Sequence, residues 1–315
     1  MNPHLQRAFD HENQIWKYIV VFFLAIFVSQ TVGAIPLIIM LVVKMIQQGD
    51  NFVPPENSMD LSAYGIDPNF GLVLILIPFL VMFVVSVLLI RSFHKRSLMD
   101  VINGGVSFRW RNFSVGFFTW GVIIFATIVI SVYLNQDNYE LRFNAQTFIP
   151  LVIISLLMLP FQSGSEEFLI RGYLSQGIAA RTRSNILVII ISSVVFASMH
   201  AVNPEVKEFG FWLVIPQYFL YGIFISIVAI MDNGIEMAIG LHSANNVVAS
   251  IFVTSKSSVL QTPALFYEKE THLAEQYWSF LIAAVLCLLL FKLIYRWDFK
   301  KLLKPISELE DKIYH

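Results

Sequence analysis

The stretch that decides the fold runs from Phe70 to Ile90, FGLVLILIPFLVMFVVSVLLI, and contains no charged residue. A helix needs about 20 mostly apolar residues to cross a bilayer, so this stretch predicts a transmembrane helix. Seven further apolar segments follow the same pattern, at 18–45, 113–134, 147–165, 186–200, 209–231, 235–253 and 277–294. The sequence therefore predicts an all-α, polytopic membrane protein of about eight transmembrane helices.

The composition points to the same class of protein. Of the 315 residues, 57% are apolar and only 14% are charged, whereas a soluble domain carries about 25% charged residues. We therefore expect the lipid bilayer to surround most of the chain. The net charge of −1 gives no reason to expect a nucleic-acid partner, and the single cysteine excludes an intramolecular disulfide. The sequence does not reveal the oligomeric state.

The loops predict an orientation in the membrane. Residues 91–112 and the tail after residue 295 are rich in Lys and Arg, whereas residues 50–69 contain neither. Basic loops stay in the cytoplasm, so we expect both termini there. We divide the chain into residues 1–150 with helices 1–3 and their loops, 151–255 with helices 4–7, and 256–315 with an outer loop, helix 8 and a cytoplasmic tail.

Three polar sets interrupt helices 4, 5 and 7. They contain Glu166, Glu167 and Arg171 in the first, Phe196 and His200 in the second, and His242 and Asn246 in the third. Ionisable groups inside membrane segments are costly and usually face an interior cavity. These three sets are therefore the candidates for function.

The spacing within the sets assigns different roles to neighbouring residues. Glu167 and Arg171 are four residues apart and share a helical face, which predicts a structural ion pair. Glu166 is rotated by about 100° from Glu167 and stays free to act elsewhere. His242 and Asn246 also share one face, whereas Asn245 points away from it.

Each set alone has a plainer explanation. The charges of the first set could snorkel to water, the His-Asn pair could join helices, and His200 could be a helix C-terminal cation. Together, a carboxylate, two histidines and an amide are the parts of a water-activating hydrolytic site. The predicted helix limits place Glu166 and His200 near opposite membrane faces, so those limits must shift for the two to meet.

The three sets, taken in order, resemble the motifs E-E-x-x-x-R, F-x-x-x-H and H-x-x-x-N of the CPBP family. That family comprises CAAX prenyl proteases and bacteriocin-processing or immunity proteins, and is also called the Abi family. The match covers about residues 160–250. It implies an intramembrane endopeptidase, expected in a bacterial cytoplasmic membrane, that cuts a membrane-associated protein or peptide. By the same resemblance, Glu166 and His200 activate the attacking water, and His242 and Asn246 hold the oxyanion.

Other readings remain open at this stage. Zinc could be bound by Glu166, His200 and His242, a set of one carboxylate and two histidines that is known in catalytic zinc sites. The spacing is not H-E-x-x-H, however, and no further carboxylate is evident that could hold the zinc ligands in place, so we favour a site without metal or other cofactor. The alternatives to an enzyme are a catalytically silent immunity or binding protein and, less favoured, a proton-coupled transporter, because no inverted repeat is visible.

Overall fold

A computed structural model of the protein describes residues 3–10, 12–49, 55, 57 and 59–306. The predicted tail beyond residue 306 and most of residues 50–58 lie outside this part. The helices are α1 (Pro3–Gln6), α2 (Ile15–Val28), α3 (Ile35–Gln48), α4 (Pro68–His94), α5 (Leu98–Ile102), α6 (Trp110–Leu134), α7 (Ala145–Glu167), α8 (Ser175–Thr182), α9 (Asn185–Met199), α10 (Pro204–Phe209), α11 (Phe211–Met231), α12 (Glu236–Phe252) and α13 (Leu273–Tyr295). The strands are β1 (Tyr139–Leu141), β2 (Val253–Ser255) and β3 (Phe266–Glu268).

The predicted all-α, polytopic membrane fold is confirmed. Within the described residues, six helical spans are long and apolar enough to cross a membrane: Ile15–Gln48, Pro68–His94, Trp110–Leu134, Ala145–Thr182, Phe211–Met231 and Leu273–Tyr295. The other two predicted spans form the shorter helices α9 and α12. Most of α12 is buried inside the protein, so its environment is provided by other helices rather than by lipid.

The first span is irregular, as its glycine and proline predict. A π-helical turn, Ser29–Gly33, separates α2 from α3, and Pro36 lies in the first turn of α3. Gly33 lies against α4, where a β carbon would come within 2.7 Å of Pro78 Cα. Ser29 also donates to the Pro78 carbonyl over 2.7 Å. The irregular segment therefore lets α2 approach α4 closely.

Loops predicted to share a membrane side do contact one another. On one side, β1 pairs antiparallel with β3, and β3 pairs parallel with β2, in a small sheet that the sequence did not predict. Asn57 joins the same side by donating to the carbonyls of Lys256 and Ser258. On the opposite side, Asn185 donates to the carbonyls of Lys301 and Lys304 in the C-terminal tail.

An ion cluster with two buried carboxylates connects α6 to the turn between α11 and α12. Arg109 Nη2 lies 2.9 Å from Asp232 Oδ2 and 2.5 Å from Glu236 Oε2. Asn112 donates to Asp232 Oδ1, and Asn103 donates to Glu236 Oε1. Every oxygen of the two carboxylates therefore has a donor. We call these five residues the Arg109 cluster.

Helix α12 occupies the centre of the bundle and packs against α6, α7 and α11. The backbones of α6 and α12 touch at Gly116 and Gly240, where a β carbon would collide with the carbonyls of Met237 and Phe113 respectively. Helix α12, which carries the third polar set, thus packs closely on α6 and also lies beside α7, which carries the first set.

Candidate active site

Glu166 and His200 lie at comparable depths. The sequence predicted that the helix with the glutamates ends at residue 165, but in the structure it continues further. After Glu167, the helix continues through a π-helical turn, Phe168–Leu174, into α8, and this continuous helical segment ends at Thr182. Helix α9 begins at Asn185, so Glu166 and His200 stand at nearly equal distances along the chain from the intervening turn. The predicted end of the helix was wrong because it was placed where charged residues begin. In the structure, other side chains bind these charged residues inside the protein.

The first and third polar sets meet at Glu167. Arg171 Nη1 lies 3.0 Å from Glu167 Oε1, and both side chains are buried. The same oxygen lies 2.8 Å from His242 Nδ1. Glu167 therefore contacts Arg171 within its own helix and also orients the His242 ring on α12, a second contact that the four-residue spacing did not predict.

Glu166 faces the other nitrogen of that ring. His242 Nε2 lies 3.8 Å from Glu166 Oε2, which is too long for a hydrogen bond. Glu166 Oε2 is buried and has no hydrogen-bond partner among the described residues. The carboxylate oxygen and the ring nitrogen are thus both available to a third group placed between them.

Gln162, which no sequence motif marked, joins Glu166 to Asn246. Its Nε2 donates to Glu166 Oε1 over 2.7 Å, and its Oε1 accepts from Asn246 Nδ2 over 2.7 Å. Gln162 lies one helical turn before Glu166, and this spacing is the only signal in the sequence that could have identified it. The connected set, which we call the Glu166 cluster, consists of Gln162, Glu166, Glu167, Arg171, His242 and Asn246.

The two adjacent asparagines face different helices. Asn246 contacts Gln162 on α7, whereas Asn245 Oδ1 accepts from Trp120 Nε1 on α6 over 3.3 Å. Asn245 Nδ2 also donates to Asn246 Oδ1 over 3.2 Å. The fully buried Trp120 thus orients Asn245 towards α6, and Asn245 contacts the Glu166 cluster through Asn246.

Phe196 brings His200 to the cluster through ring contacts. The Phe196 ring centroid lies 4.4 Å from that of His200 and 5.9 Å from that of His242. The guanidinium of Arg171 lies 4.4 Å from the same ring, a cation–π distance. Among the described side chains, no hydrogen bond joins His200 to the Glu166 cluster. His200 Nδ1 donates instead to the Phe196 carbonyl over 2.7 Å. Its Nε2 is left to act as an acceptor.

The N-terminal segment supports the π-helical turn from outside the membrane span. π-Helical turns occur often at functional sites. Here His4 Nε2 donates to the Arg171 carbonyl over 3.0 Å, and Gln176 donates to the His4 carbonyl over 2.8 Å. Burial lowers the pKa of His4 to about 4, so the ring is neutral at physiological pH. No pattern in the sequence marks His4, because its partner lies 167 residues away.

The described residues contain no group of three or more His, Cys, Asp or Glu arranged to hold a metal ion. The three residues of the zinc alternative have other contacts. Glu166 Oε1 accepts from Gln162, His242 Nδ1 contacts Glu167, and His200 Nδ1 donates to the Phe196 carbonyl. Each histidine retains only Nε2. Contacts at Nδ1 with Nε2 left free are also typical of histidines that bind a metal, and Glu167 and the Phe196 carbonyl are the supporting acceptors that the sequence did not reveal.

Comparison with known proteins points to one family. Residues 145–248, about a third of the chain, match the family described as type II CAAX prenyl endopeptidase Rce1-like. Over 263 residues the chain is also 28% identical to the uncharacterized protein YyaK of Bacillus subtilis, covering 82% of this chain and 85% of that protein. No solved structure matches.

Proposed function

Because residues 145–248 of this integral membrane protein belong to the Rce1-like family of type II CAAX prenyl endopeptidases, we propose that it is an intramembrane endopeptidase. The proposed reaction is hydrolysis of a peptide bond in a membrane-associated protein or peptide. The observation that carries the proposal is the buried Glu166 Oε2, which lacks a partner beside His242. A buried acceptor left open in this way is the position that an attacking water needs.

Glu166 is the proposed general base. It takes a proton from the water as the water oxygen attacks the carbonyl carbon, and it later gives that proton to the leaving amine. Gln162 fixes Oε1 of this carboxylate, so that Oε2 faces the reacting groups. His200 orients the same water through Nε2, because Nδ1–H is occupied by the Phe196 carbonyl.

His242 and Asn246 are the proposed donors to the oxyanion. Asn246 Nδ2 carries two hydrogens, and the Gln162 contact uses one of them. His242 can donate from Nε2 while Nδ1 donates to Glu167 only if its ring is positively charged. Glu167 lies 2.8 Å away and would stabilise that charge.

The formal charges of the cluster then balance. Two carboxylates, Glu166 and Glu167, stand against the Arg171 guanidinium and a charged His242 ring. A neutral total reduces the cost of holding four charges away from water, provided that they are paired.

The proposed substrate has to reach the site from the membrane or its surface. The basic loops support placing both termini of the protein in the cytoplasm.

A comparison of Glu166→Gln with wild type tests the proposed function. In membranes of cells that produce one protein or the other, we expect peptides that are cut by wild type to accumulate uncut with Glu166→Gln. The amide keeps the size of the side chain but cannot accept the proton from water. Loss of a general base reduces turnover by about 10²- to 10⁴-fold. Proteomics of the two membranes measures the effect and identifies the substrate.

Glu268→Gln is the matched control, because Glu268 is also buried but binds Tyr139 and Thr271 in the small sheet. This control should cut the same peptides as wild type. If all three proteins give the same peptides, the chain is not a Glu166-dependent protease, and the silent binding or immunity protein becomes the better hypothesis.

We further propose that the reaction needs no metal. After treatment with a chelator, the purified protein should cut the identified peptide at an unchanged rate, and metal analysis should find less than one equivalent of zinc. Stoichiometric zinc, with activity lost on its removal and restored on its return, would contradict this proposal. It would assign Glu166, His200 and His242 as zinc ligands and leave the protease function in place.

A further inference from the structure

Helix α11 places two tyrosines beside the two histidines of the candidate site. The ring of Tyr218 stacks on His200 with a centroid distance of 4.1 Å. Tyr221, one helical turn further on, lies with its ring centroid 5.6 Å from that of His242. The two side chains have the same chemistry and comparable positions, so their hydroxyl groups can be compared directly.

The Tyr218 hydroxyl is satisfied by the protein. It accepts a hydrogen bond from Asn203 Nδ2 over 3.0 Å and donates to Glu205 Oε1. The Tyr221 hydroxyl is buried and has no hydrogen-bond partner among the described residues. An unpaired buried hydroxyl costs free energy that phenylalanine would avoid in the same space. The fold alone therefore gives no reason for a tyrosine at position 221.

The surroundings of Tyr221 connect this hydroxyl with the chemistry of the site. Its ring packs against Phe196 and Phe280, with centroid distances of 6.0 and 5.8 Å. The His242 ring beside it lies 2.8 Å from Glu167 Oε1 at Nδ1 and 3.8 Å from Glu166 Oε2 at Nε2. Each of these glutamates has one buried oxygen, Oε2, without a partner. One unused donor and two unused acceptors thus lie in the same enclosed region and do not bind each other.

We propose that Tyr221 is a further catalytic residue, whose hydroxyl donates a hydrogen bond to the substrate carbonyl oxygen as that oxygen becomes negatively charged. This inference rests on the proposed endopeptidase function. A neutral phenol donates without needing a charge of its own, and tyrosine is among the side chains that form oxyanion holes. Tyr221 would be the third donor, together with His242 and Asn246.

The test compares Tyr221→Phe with Tyr218→Phe and wild type, all purified in detergent. The substrate probe is a quenched fluorescent peptide that contains the cleavage site found in the Glu166→Gln comparison. For Tyr221→Phe we expect kcat to fall by about 10²- to 10³-fold, as for loss of one oxyanion donor, with KM unchanged. The melting temperature should equal or exceed that of wild type. Tyr218→Phe should instead melt at a lower temperature, because it loses two hydrogen bonds.

Tyr133→Phe serves as the activity control, because Tyr133 is 73% exposed at the far end of α6 and should behave as wild type. Wild-type kcat in Tyr221→Phe would overturn the inference and leave the proposed function intact. A melting temperature lowered as much as in Tyr218→Phe would also overturn it, because the hydroxyl would then have a structural partner. If wild type itself shows no Glu166-dependent cleavage, the proposed function and this inference are both wrong.

Discussion

The Arg109 cluster and the Glu166 cluster are built from similar parts but differ in how completely they are satisfied. Each holds two carboxylates and one arginine inside the protein, and each connects α12 to a neighbouring helix. In the Arg109 cluster, each carboxylate oxygen accepts a hydrogen bond. In the Glu166 cluster, the Oε2 atoms of Glu166 and Glu167 have no partner among the described residues.

This difference supports a structural role for the Arg109 cluster and the proposed chemical role for the Glu166 cluster. A buried acceptor without a donor costs about 1–3 kcal/mol, and more when it is charged. A cluster optimised only for stability would not keep two such atoms. We therefore expect substitutions in the Arg109 cluster to change mainly stability, and substitutions at the unsatisfied part of the Glu166 cluster to change mainly turnover.

The largest expected effect on stability is that of Glu236→Gln. The amide removes the negative charge and presents N–H groups to Arg109, so the buried pair is broken. Breaking such a pair costs about 3–5 kcal/mol, and the lower end is expected because the Arg109 side chain is 31% exposed. Unfolding in detergent, followed by circular dichroism, measures the loss. Cleavage per folded molecule should stay at the wild-type rate.

Glu140→Gln is the control for this effect. Glu140 also pairs with an arginine, Arg142, but both side chains are about half exposed, and such pairs contribute little. We expect no measurable change in the unfolding of this control. The comparison between the two clusters fails if Glu236→Gln is as stable as wild type, or if it loses activity without losing stability.

A smaller effect, on turnover rather than stability, is expected from Asn246→Ala. Loss of one oxyanion donor reduces kcat by about 10²- to 10³-fold. Asn245→Ala should leave kcat closer to wild type, because Asn245 binds Trp120 on α6 and contacts the site through Asn246. Steady-state kinetics on the two purified variants decide between them. A larger loss of kcat in Asn245→Ala than in Asn246→Ala would mean that Asn245, and not Asn246, is the oxyanion donor.

The sequence predicts those parts of the site that depend on local spacing. Residues four apart share a helical face, which is why Glu167 and Arg171, and separately His242 and Asn246, could be grouped before their positions were known. The apolar segments likewise predicted where helices lie, because the length of a span is set by the thickness of the bilayer.

The remaining features depend on contacts between distant parts of the chain. Gln162 contacts an asparagine 84 residues away, and Arg109 contacts an acid 127 residues away. Neither pair leaves a periodic pattern in the sequence. The end of the fourth span was misplaced for the same reason, because a charge reads as a boundary when the residues that neutralise it are unknown.

A pH dependence is also expected within the Arg109 cluster. Burial raises the pKa of the Asp232 carboxyl to about 7 from an ordinary value of 3.8, although Arg109 and Asn112 act in the opposite direction. The folded protein therefore keeps the Asp232 proton over a pH range in which the unfolded chain has lost it. The stability that this group contributes is fully present below about pH 4 and is lost as the pH rises to about 7.

Asp232→Asn isolates this contribution, because the amide oxygen can still accept from Arg109 but the group does not titrate. The melting temperature of wild type, taken relative to that of Asp232→Asn, should fall as the pH is raised from about 4 to about 7, and then level off. Glu236 and Arg109 are present in both proteins, so their effects largely cancel in the difference. A melting-temperature difference that rises with pH would mean that pairing with Arg109 favours the charged form of Asp232 more than burial disfavours it.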